Sequence, residues 1–399
     1  MQKNNYKSKF EFIVLMASLM SLVALSIDAL LPALNNIGKA MNFPDPKDSQ
    51  LLITMIFLGL GVGQLIAGPI SDTIGRKPVV YIGFILFIIA SYICVSAITI
   101  DQMILGRILQ GISLSAPRTI SIAMIRDTFS GNYMAKIMSF IVVIFLLVPM
   151  IAPALGKIML ELYGWKSIFY FQALLGLLVT VWLWKRQPET LNSKYKKPLS
   201  LKLFIDGLKE FFKYKQAVIF TIISGLTTSS FMVYLSSSQH IFEEQYKLSD
   251  EFPIIFAGLS LSLGLATFFN GNLVVRFGML KLVRFSTMIL VFTSIIYIFF
   301  FFEKSNPSIE ILFTFFSFEF FAVGFLFGNL RALAMEPLGH IAGVGAALNG
   351  FLSTLVAVPI AGFIGQWIDK TAIPLFYGFS ICGILSLILL SYVRKHMTI

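Results

Sequence analysis

Apolar stretches of roughly 20 residues follow one another along the whole chain, separated by short polar segments. A helix of that length rises about 30 Å, which is the thickness of the hydrocarbon core of a membrane. Helices satisfy all of their backbone hydrogen bonds at that depth. The pattern therefore predicts an all-α polytopic membrane protein with twelve transmembrane helices. The predicted spans are 12–37, 50–71, 78–98, 101–128, 133–160, 163–184, 215–240, 250–275, 279–302, 307–335, 340–369 and 371–393.

One long polar stretch interrupts this series between the sixth and seventh spans. It predicts an N-terminal six-helix bundle at 1–186, a cytoplasmic linker at 187–214 and a C-terminal six-helix bundle at 215–399. Within the linker, apolar and charged residues alternate around Leu208 in the pattern of an amphipathic helix. Such a helix is expected to lie on the anionic surface of the membrane.

Two short patterns in the first half of the chain recur in the second half. GPISDTIG at 68–75 corresponds to GNLVVRFG at 271–278, and PALG at 153–156 corresponds to PIAG at 359–362. The offsets, 203 and 206 residues, are nearly equal, which indicates two pseudo-symmetric six-helix bundles that arose by duplication. Coincidence is the alternative, because Gly and Pro are common in membrane helices.

The composition excludes a soluble globular protein, since 57% of the residues are apolar, only 13% are charged and the mean hydropathy is +0.84. The formal net charge is +11, and most Lys and Arg residues fall in the termini and the even-numbered loops. By the positive-inside rule, both termini are predicted to be cytoplasmic. Membrane topology thus explains the charge, and no nucleic-acid partner is expected.

The sequence also argues against several functional classes. It contains no phosphate-binding G-x-x-x-x-G-K-[ST] loop and no HExxH, GxSxG or CxxC constellation. Its two cysteines, Cys94 and Cys382, fall far apart within apolar spans. The chain is therefore predicted not to be an enzyme or an ATP-driven pump, and it is expected to need no cofactor or metal.

The loop between the second and third spans carries a charged motif, GPISDTIGRKP, that begins at Gly68. In spacing, composition and position it resembles the signature G-x-x-x-D-x-x-G-R-K of the major facilitator superfamily. Gly68 is expected to let a neighbouring helix approach, and Gly75 permits a tight turn. Asp72 can pair with a basic side chain or with a helix dipole, and Asp127 is the expected partner of Arg76. We expect these residues to form a latch on the cytoplasmic face.

Two further motifs strengthen the resemblance. LGRILQG, around Arg107, is similar to the second signature of the superfamily, which includes an arginine within the membrane. PMIAPALG, with Pro149, Pro153 and Gly156, resembles the motif of the drug:proton antiporter branch. Pro153 is expected to kink the fifth span and Gly156 to keep it close to another helix. Lys157 departs from the pattern, because a second glycine is common there.

Four other segments resemble the bicyclomycin and chloramphenicol resistance (Bcr/CflA) type of efflux transporter. They are Asp28 with the LPAL that follows it, the pair Arg126-Asp127, GWK at 164–166 and AMEPLGHIAG at 334–343. The resemblance implies a proton-coupled exporter of drugs or other small amphipathic compounds. It also implies a monomer that works by alternating access in the cytoplasmic (inner) membrane of a bacterium, with a small-molecule substrate, protons and the lipid bilayer as its partners. A proton-coupled transporter of one metabolite or siderophore is the alternative.

Two charged residues fall at similar depths within spans of the first bundle. The rise of a helix places Asp28 about 6 Å and Arg107 about 10 Å outside the membrane midplane. An ionisable residue within a span is a candidate functional residue. We therefore predict that Asp28, with Arg107 as its partner, carries the coupled proton. The alternative is a fixed ion pair that only joins two helices.

Three more residues are candidates for binding substrate or protons. Glu319 is predicted to be a second titrating group or an anchor for cationic drugs, but a pair with Arg118 or a contact with water is the alternative. Arg118 is a candidate for attracting an anionic substrate. Tyr234 lies 206 positions after Asp28 and is expected to face the substrate cavity.

Overall fold

The structure is a computed structural model that describes residues 9–43, 46–129, 131–192, 194, 196 and 201–396. All regular elements in this part of the chain are helical, which confirms the predicted all-α class. The chain forms two compact units, Met1–Leu201 and Lys202–Ile399. The N-terminal unit contains α1 (Lys9–Asp28), α2 (Leu34–Ala40), α3 (Leu51–Ile74), α4 (Arg76–Ser96), α5 (Ile100–Thr128), α6 (Gly131–Tyr163) and α7 (Lys166–Arg186). From the start of the linker helix onward follow α8 (Leu201–Lys213), α9 (Lys215–Gln239), α10 (Phe252–Phe277), α11 (Met279–Phe301), α12 (Ile309–Met335), α13 (Ala342–Gly365) and α14 (Ile373–His396).

The lengths and compositions of these helices fit a membrane protein that crosses the bilayer many times. Among the helices whose residues are fully described, eleven stretches are long and apolar enough to cross a membrane. The 33 residues of α6 make a further long helix, although several of its side chains lie outside the described part. The arrangement agrees with the polytopic helical protein that the hydropathy pattern predicts.

The first predicted span is not one continuous helix. α1 ends at Asp28, a turn follows, and a short 3-10 segment at Leu31–Ala33 leads into α2. Pro32 explains the break, because proline has no N–H to donate to the carbonyl of Asp28 four residues earlier. The Leu30 N–H, which would reach Ser26 in a continuing helix, donates to Ile27 O at 3.3 Å instead. The Ser26 carbonyl is left to find another donor.

The proline and glycine motif of the fifth span lies in α6, which packs against this break. Pro149 and Pro153 lie inside a helix that continues to Tyr163. A Cβ built on Gly156 would lie 1.9 Å from Ala29 O, so the two backbones are in direct contact there. Lys157, which departs from the usual motif, does not prevent this approach, and its ammonium lies 3.8 Å from Glu161 Oε1.

The helix predicted in the linker is present as α8. Phe211 on this helix is buried, whereas Lys202, Asp206 and Lys209 are exposed, as an amphipathic helix requires. Residues 193, 195 and 197–200 of the predicted linker lie outside the described part of the chain. The division at 1–186, 187–214 and 215–399 stays a prediction.

The internal repeat is visible in the local structure of the second and third spans of each unit. Gly75 separates α3 from α4 with a φ of 115°, and Gly278 separates α10 from α11 with a φ of 80°. A positive φ favours glycine because a side chain would clash there. The two glycines are 203 positions apart, the offset at which the sequence pattern recurs.

The contact between α6 and Ala29 generates a stability prediction. Gly156→Ala is expected to lower the free energy of unfolding by about 1–3 kcal/mol, because the two backbones must separate. Gly362 is the equivalent of Gly156 in the C-terminal unit. The new Cβ of Gly362→Ala would meet no heavy atom of the described residues within 4 Å, so this substitution should raise the free energy of unfolding by roughly 0.5–1 kcal/mol through its higher helix propensity. Thermal unfolding of both purified variants in one detergent measures the contrast. Equal melting temperatures would contradict the close contact.

Candidate functional site

The Arg107 guanidinium links three helices of the N-terminal unit and is completely buried. From α5 it reaches back to the broken end of α1, where Nη1 and Nη2 each donate to Ser26 O at 3.2 Å. Its Nε donates to Leu52 O on α3 at 3.0 Å. Its Nη1 also donates to Gln110 Oε1 at 2.7 Å. The guanidinium therefore supplies the donors that the Ser26 carbonyl lost when α1 ended.

Gln110 extends this network to a fourth helix. Its Nε2 donates to Ser91 Oγ on α4 at 2.8 Å, and Ser91 Oγ donates to Phe87 O at 2.8 Å. Both side chains are buried. A buried polar network of this kind holds helices in one arrangement only if its groups are hydrogen-bonded, and here Arg107 and Ser91 satisfy both ends of the amide.

Small residues allow α3 and α5 to come close enough for this network. A Cβ built on Gly111 would lie 2.1 Å from Ile56 O, and one built on Gly59 would lie 2.1 Å from Ile108 O. The two backbones thus touch where the LGRILQG motif crosses α3. That contact brings Leu52 O within reach of Arg107.

Asp28 is buried next to this network but is not part of it. Its side chain is 4% exposed, and in the described part of the chain no hydrogen bond or ion pair reaches its carboxylate. The predicted pairing of Asp28 with Arg107 therefore needs correction. The guanidinium is occupied by backbone carbonyls and Gln110, because the helix break at Pro32 exposes a carbonyl that the sequence pattern did not reveal.

Other polar atoms around the end of α1 also lack partners. Gln172 on α7 donates from Nε2 to Leu25 O at 3.4 Å, but its Oε1 is buried with no partner among the described residues. Ser26 Oγ is buried and unpartnered in the same part of the structure. Buried polar atoms are normally hydrogen-bonded to protein or water. The end of α1 is therefore suited to receive water, a proton or a polar group of a substrate.

The latch motif forms a compact ionic cluster at the junction of α3 and α4. Arg76 contacts Asp72, and its Nε donates to Asp127 Oδ2 at 2.8 Å at the end of α5. Its Nη1 also donates to Ser71 Oγ at 2.7 Å. The structure thus contains the contact between Arg76 and Asp127 that the sequence suggested.

One member of the motif differs from its predicted role. Among the described residues, no heavy atom lies within 4 Å of a Cβ built on Gly68, so no helix approaches closely there. At position 75, by contrast, two separate features favour glycine. The backbone φ is 115°, and a Cβ there would lie 2.8 Å from Glu189 Oε2.

Glu189 is a member of the cluster that the sequence reasoning missed. Its Oε1 and Oε2 accept the backbone N–H groups of Arg76 and Lys77, each at 3.0 Å. These N–H groups begin α4 and have no helical acceptor, and a carboxylate is favourable at the N-terminus of a helix. The next residue, Thr190, donates to Asp127 Oδ2 at 3.3 Å. In the sequence, Glu189 is only a single acidic residue shortly after the sixth span. That pattern does not indicate that it caps a helix that begins 113 positions earlier.

Tyr234 lies in a densely packed aromatic cluster of the C-terminal unit. Its ring is 1% exposed and lies 4.4 Å from the ring of Phe320 and 5.4 Å from that of Phe316. Phe256 stacks on it at 6.1 Å. Tyr234 is therefore packed among rings in this arrangement, and its predicted place in the substrate cavity stays a prediction. α9 carries no proline at the position equivalent to Pro32, so it continues past Tyr234 and packs the ring inside.

Glu319 and Arg118 differ in their surroundings. Glu319 on α12 is completely buried, and its Oε1 accepts a hydrogen bond from Ser294 Oγ at 2.6 Å. Its Oε2 is buried with no hydrogen-bond partner among the described residues. Arg118 is half-buried on α5, where its carbonyl accepts from Ser121 Oγ at 2.9 Å.

A pocket of about 430 Å³ lies between α10, α11 and α12 of the C-terminal unit. Aromatic and aliphatic side chains form most of its wall, including Phe277, Phe285 and Phe325, and Lys281 also lines it. Phe285 is 62% exposed, so the pocket opens on the surface of the unit. Neither Tyr234 nor Glu319 lines it, and it is separate from the buried groups considered above.

Comparisons with known proteins agree with this architecture. The profile of the Major Facilitator Superfamily matches residues 13–358. A bicyclomycin resistance protein homolog of Haemophilus influenzae is 25% identical over 401 positions, covering 96% of each chain. The multidrug resistance protein MdtL of Shewanella oneidensis is 26% identical over 343 positions, covering 86% of this chain and 85% of the relative.

Solved structures show the same fold. A D-xylose-proton symporter superimposes with a TM-score of 0.74 at 14% identity, and the match covers 97% of this chain and 98% of the symporter. The human organic anion transporter MFSD10 superimposes with a TM-score of 0.66 at 16% identity. The family profile extends over most of the chain, and both curated relatives align over most of their own length. The chain therefore belongs to the Major Facilitator Superfamily and is a multi-pass membrane transporter.

Proposed function

We propose that this transporter is a proton-coupled exporter that exchanges protons for drugs or other small amphipathic compounds. In alternating access, the substrate site opens to one side of the membrane at a time. The observation that carries the proposal is the Asp28 carboxyl, buried without a described partner at the broken end of α1. The names of the two curated relatives, a bicyclomycin resistance protein homolog and a multidrug resistance protein, support the substrate class.

Asp28 has the surroundings that a proton carrier needs. An isolated carboxylate in apolar surroundings is strongly unfavourable, so the neutral acid is the stable form when water is absent. When water enters, hydration of the carboxylate favours the ionised form. A change in hydration can therefore release or bind the proton. A permanent ion pair would not allow this, because it would hold the carboxylate ionised throughout.

Exchange follows if the proton and the substrate exclude each other at the end of α1. The outward-open state would take a proton onto Asp28 from the acidic exterior. In the inward-open state, water and the entering substrate would contact Asp28, and the proton would leave to the cytoplasm. The unpartnered atoms Ser26 Oγ and Gln172 Oε1 offer polar contacts for such a substrate.

The charged cluster at α3 and α4 is proposed to act as the cytoplasmic latch. Asp72, Arg76 and Asp127 supply the ionic contacts, and Glu189 joins the start of the linker to them. Movement of the linker can thus change the contacts of Arg76. This connection would let the latch open and close during the transport cycle.

Other features of the proposal follow from the sequence. Arg118 and Tyr234 are candidate substrate contacts in states other than the one described. The transporter is proposed to act as a monomer in the bacterial cytoplasmic membrane, with both termini in the cytoplasm. These expectations fit the distribution of Lys and Arg along the chain.

Replacing the proposed proton carrier tests the function directly. Asp28→Asn keeps the size of the side chain but cannot ionise, so uptake driven by a pH gradient should fall at least about tenfold. The assay uses inside-out membrane vesicles with an acidic lumen and follows ethidium fluorescence. Exchange of ethidium without a pH gradient should remain, since the apolar contacts of the substrate site are unchanged.

The control for this experiment is Asp28→Glu, which retains an ionisable group and should keep part of the coupled transport. Full gradient-driven uptake by Asp28→Asn at equal expression would exclude Asp28 as the proton carrier. A different result would favour the alternative function, a proton-coupled transporter of one metabolite or siderophore. In that case the wild type would not transport cationic dyes, and an acidic lumen would drive uptake of that one compound only.

The contact between Glu189 and the start of α4 generates a second prediction. Glu189→Ala should lower the free energy of unfolding by about 1–2 kcal/mol, because the first N–H groups of α4 lose their acceptor. The transport rate should fall with it if the latch depends on the linker. Glu161→Gln, an exposed residue with a loose ion pair to Lys157, is the matched control and should stay within about 0.5 kcal/mol. A Glu189 variant as stable and active as this control would contradict the role of Glu189.

A further inference from the structure

The two units repeat one another helix by helix at fixed offsets in sequence. α4 begins at Arg76 and α11 at Met279, 203 positions later. α5 begins at Ile100 and α12 at Ile309, 209 positions later. Positions in the two units can therefore be compared one by one, with the offset that belongs to each helix.

A packing contact tests this correspondence independently. In the N-terminal unit, a Cβ built on Gly63 would lie 2.3 Å from Ser115 Oγ. In the C-terminal unit, a Cβ built on Gly324 would lie 2.7 Å from Ala266 Cβ. Ala266 follows Gly63 by 203 positions, and Gly324 follows Ser115 by 209. The same two positions therefore meet in both units. The glycine of the pair lies on α3 in the N-terminal unit and on α12 in the C-terminal unit, that is, on the other helix of the pair.

A buried hydrogen bond repeats at the same two offsets. Gln110 Nε2 donates to Ser91 Oγ at 2.8 Å in the N-terminal unit. Ser294 Oγ donates to Glu319 Oε1 at 2.6 Å in the C-terminal unit. Ser294 follows Ser91 by 203 positions, and Glu319 follows Gln110 by 209. The C-terminal unit therefore has a carboxyl where the N-terminal unit has a carboxamide.

The Glu319 carboxyl has no counterpart of the second hydrogen bond that the Gln110 carboxamide makes. Gln110 Oε1 accepts from Arg107, but the position equivalent to Arg107 is Phe316. Glu319 Oε2 accordingly has no hydrogen-bond partner among the described residues, and the side chain is 0% exposed. This oxygen is available to bind a proton or a water molecule.

The surroundings of Glu319 contain no described cation that would hold it ionised. The titratable side chains that face this part of α12 are the phenols of Tyr234 on α9 and Tyr297 on α11. Tyr297 lies one turn from Ser294, and its hydroxyl is buried with no described partner. The charged groups of the surrounding elements, in the described residues, stand near the ends of the helices. They are Lys215, His240, Glu243, Glu244, Arg276, Lys281, Arg284, Glu310, Arg331, Arg394 and Lys395.

A glutamine would serve as well as a glutamate if only the hydrogen bond to serine mattered, as Gln110 demonstrates. A carboxyl differs from a carboxamide in that it can release a proton. The Ser294 hydroxyl suits both states, since it can accept a hydrogen bond from the neutral acid or donate one to the carboxylate. Serine therefore stabilises the group on either side of a proton transfer.

We propose that Glu319, held by Ser294, is a second proton-carrying site of this transporter, located in the C-terminal unit. The inference rests on the proposed proton-coupled function and adds one proton to the one carried by Asp28. In each cycle, water from the outer side gives a proton to Glu319 Oε2, and the group later releases that proton to water on the cytoplasmic side.

The number of coupled protons can be measured on the full-length protein in proteoliposomes. The membrane potential is clamped at zero with potassium and valinomycin, and the limiting ethidium gradient is measured at a series of pH gradients. Each coupled proton multiplies that gradient tenfold for each unit of pH difference. Glu319→Gln, which reproduces the chemistry of Gln110, should therefore lower the limiting gradient tenfold at one pH unit. Glu310→Gln, an exposed acid on the same helix, is the matched control and should leave it unchanged.

The outcomes separate this inference from the proposed function. A wild-type gradient that ignores the pH difference contradicts the proposed function itself. A coupled wild type whose gradient is the same in Glu319→Gln overturns the second site only, since Glu319 would then be a permanently neutral acid. If Glu319→Gln does not fold, Ser294→Ala is the substitute. It should shift the pH profile of transport to higher pH, because the carboxylate loses its described donor, and an unchanged profile overturns the inference.

Discussion

The backbone at the end of α1 imposes the constraint on which the N-terminal unit depends. Inside a membrane a carbonyl without a donor is costly, and Pro32 ends the helix where water is scarce. Arg107 resolves this by donating to Ser26 O, and the same guanidinium reaches Leu52 O and Gln110. A lysine could not replace it, because one ammonium lacks the planar set of donors that serves separate helices. The arrangement also leaves the arginine without an anionic partner among the described residues. Its hydrogen bonds go to two carbonyls and one amide, and none goes to Asp28.

The two units use one helical framework for different chemistry. Where the N-terminal unit has Asp28 and Arg107, the C-terminal unit has Tyr234 and Phe316, whose rings lie 5.4 Å apart. The N-terminal framework is held by hydrogen bonds that cross between helices, and the equivalent C-terminal region is held by aromatic packing. Glu319 and Ser294 are the polar exception within that packing. In the described part of the chain, each unit nevertheless contains one buried carboxyl, Asp28 or Glu319, and these are the groups that we propose couple the two units to the proton gradient.

The sequence predicted those features that depend on local patterns. Hydropathy located the long helices because a span needs only length and apolar composition, and the latch motif indicated the contact of Arg76 with Asp127. The partner of Arg107 could not be predicted, because it depends on a carbonyl that becomes available only when α1 breaks. Pro32 was a signal for that break, but the surrounding apolar run suggested a continuous span. The role of Glu189 was missed because its acceptors are backbone N–H groups far away in sequence. The repeat relates Tyr234 to Asp28 by position alone, and the burial of Tyr234 depends on neighbouring rings that the repeat does not specify.

The central claim is that Asp28 is a neutral acid that loses its proton when substrate binds. Infrared difference spectroscopy of the carboxyl C=O stretch measures this most directly, with purified protein near neutral pH and ethidium as the probe. The account predicts a protonated-carboxyl band in the wild type that is absent from Asp28→Asn, that persists in Glu319→Gln, and that disappears when ethidium is added. Identical carboxyl bands in the wild type and Asp28→Asn, or a band that ethidium leaves unchanged, would contradict it.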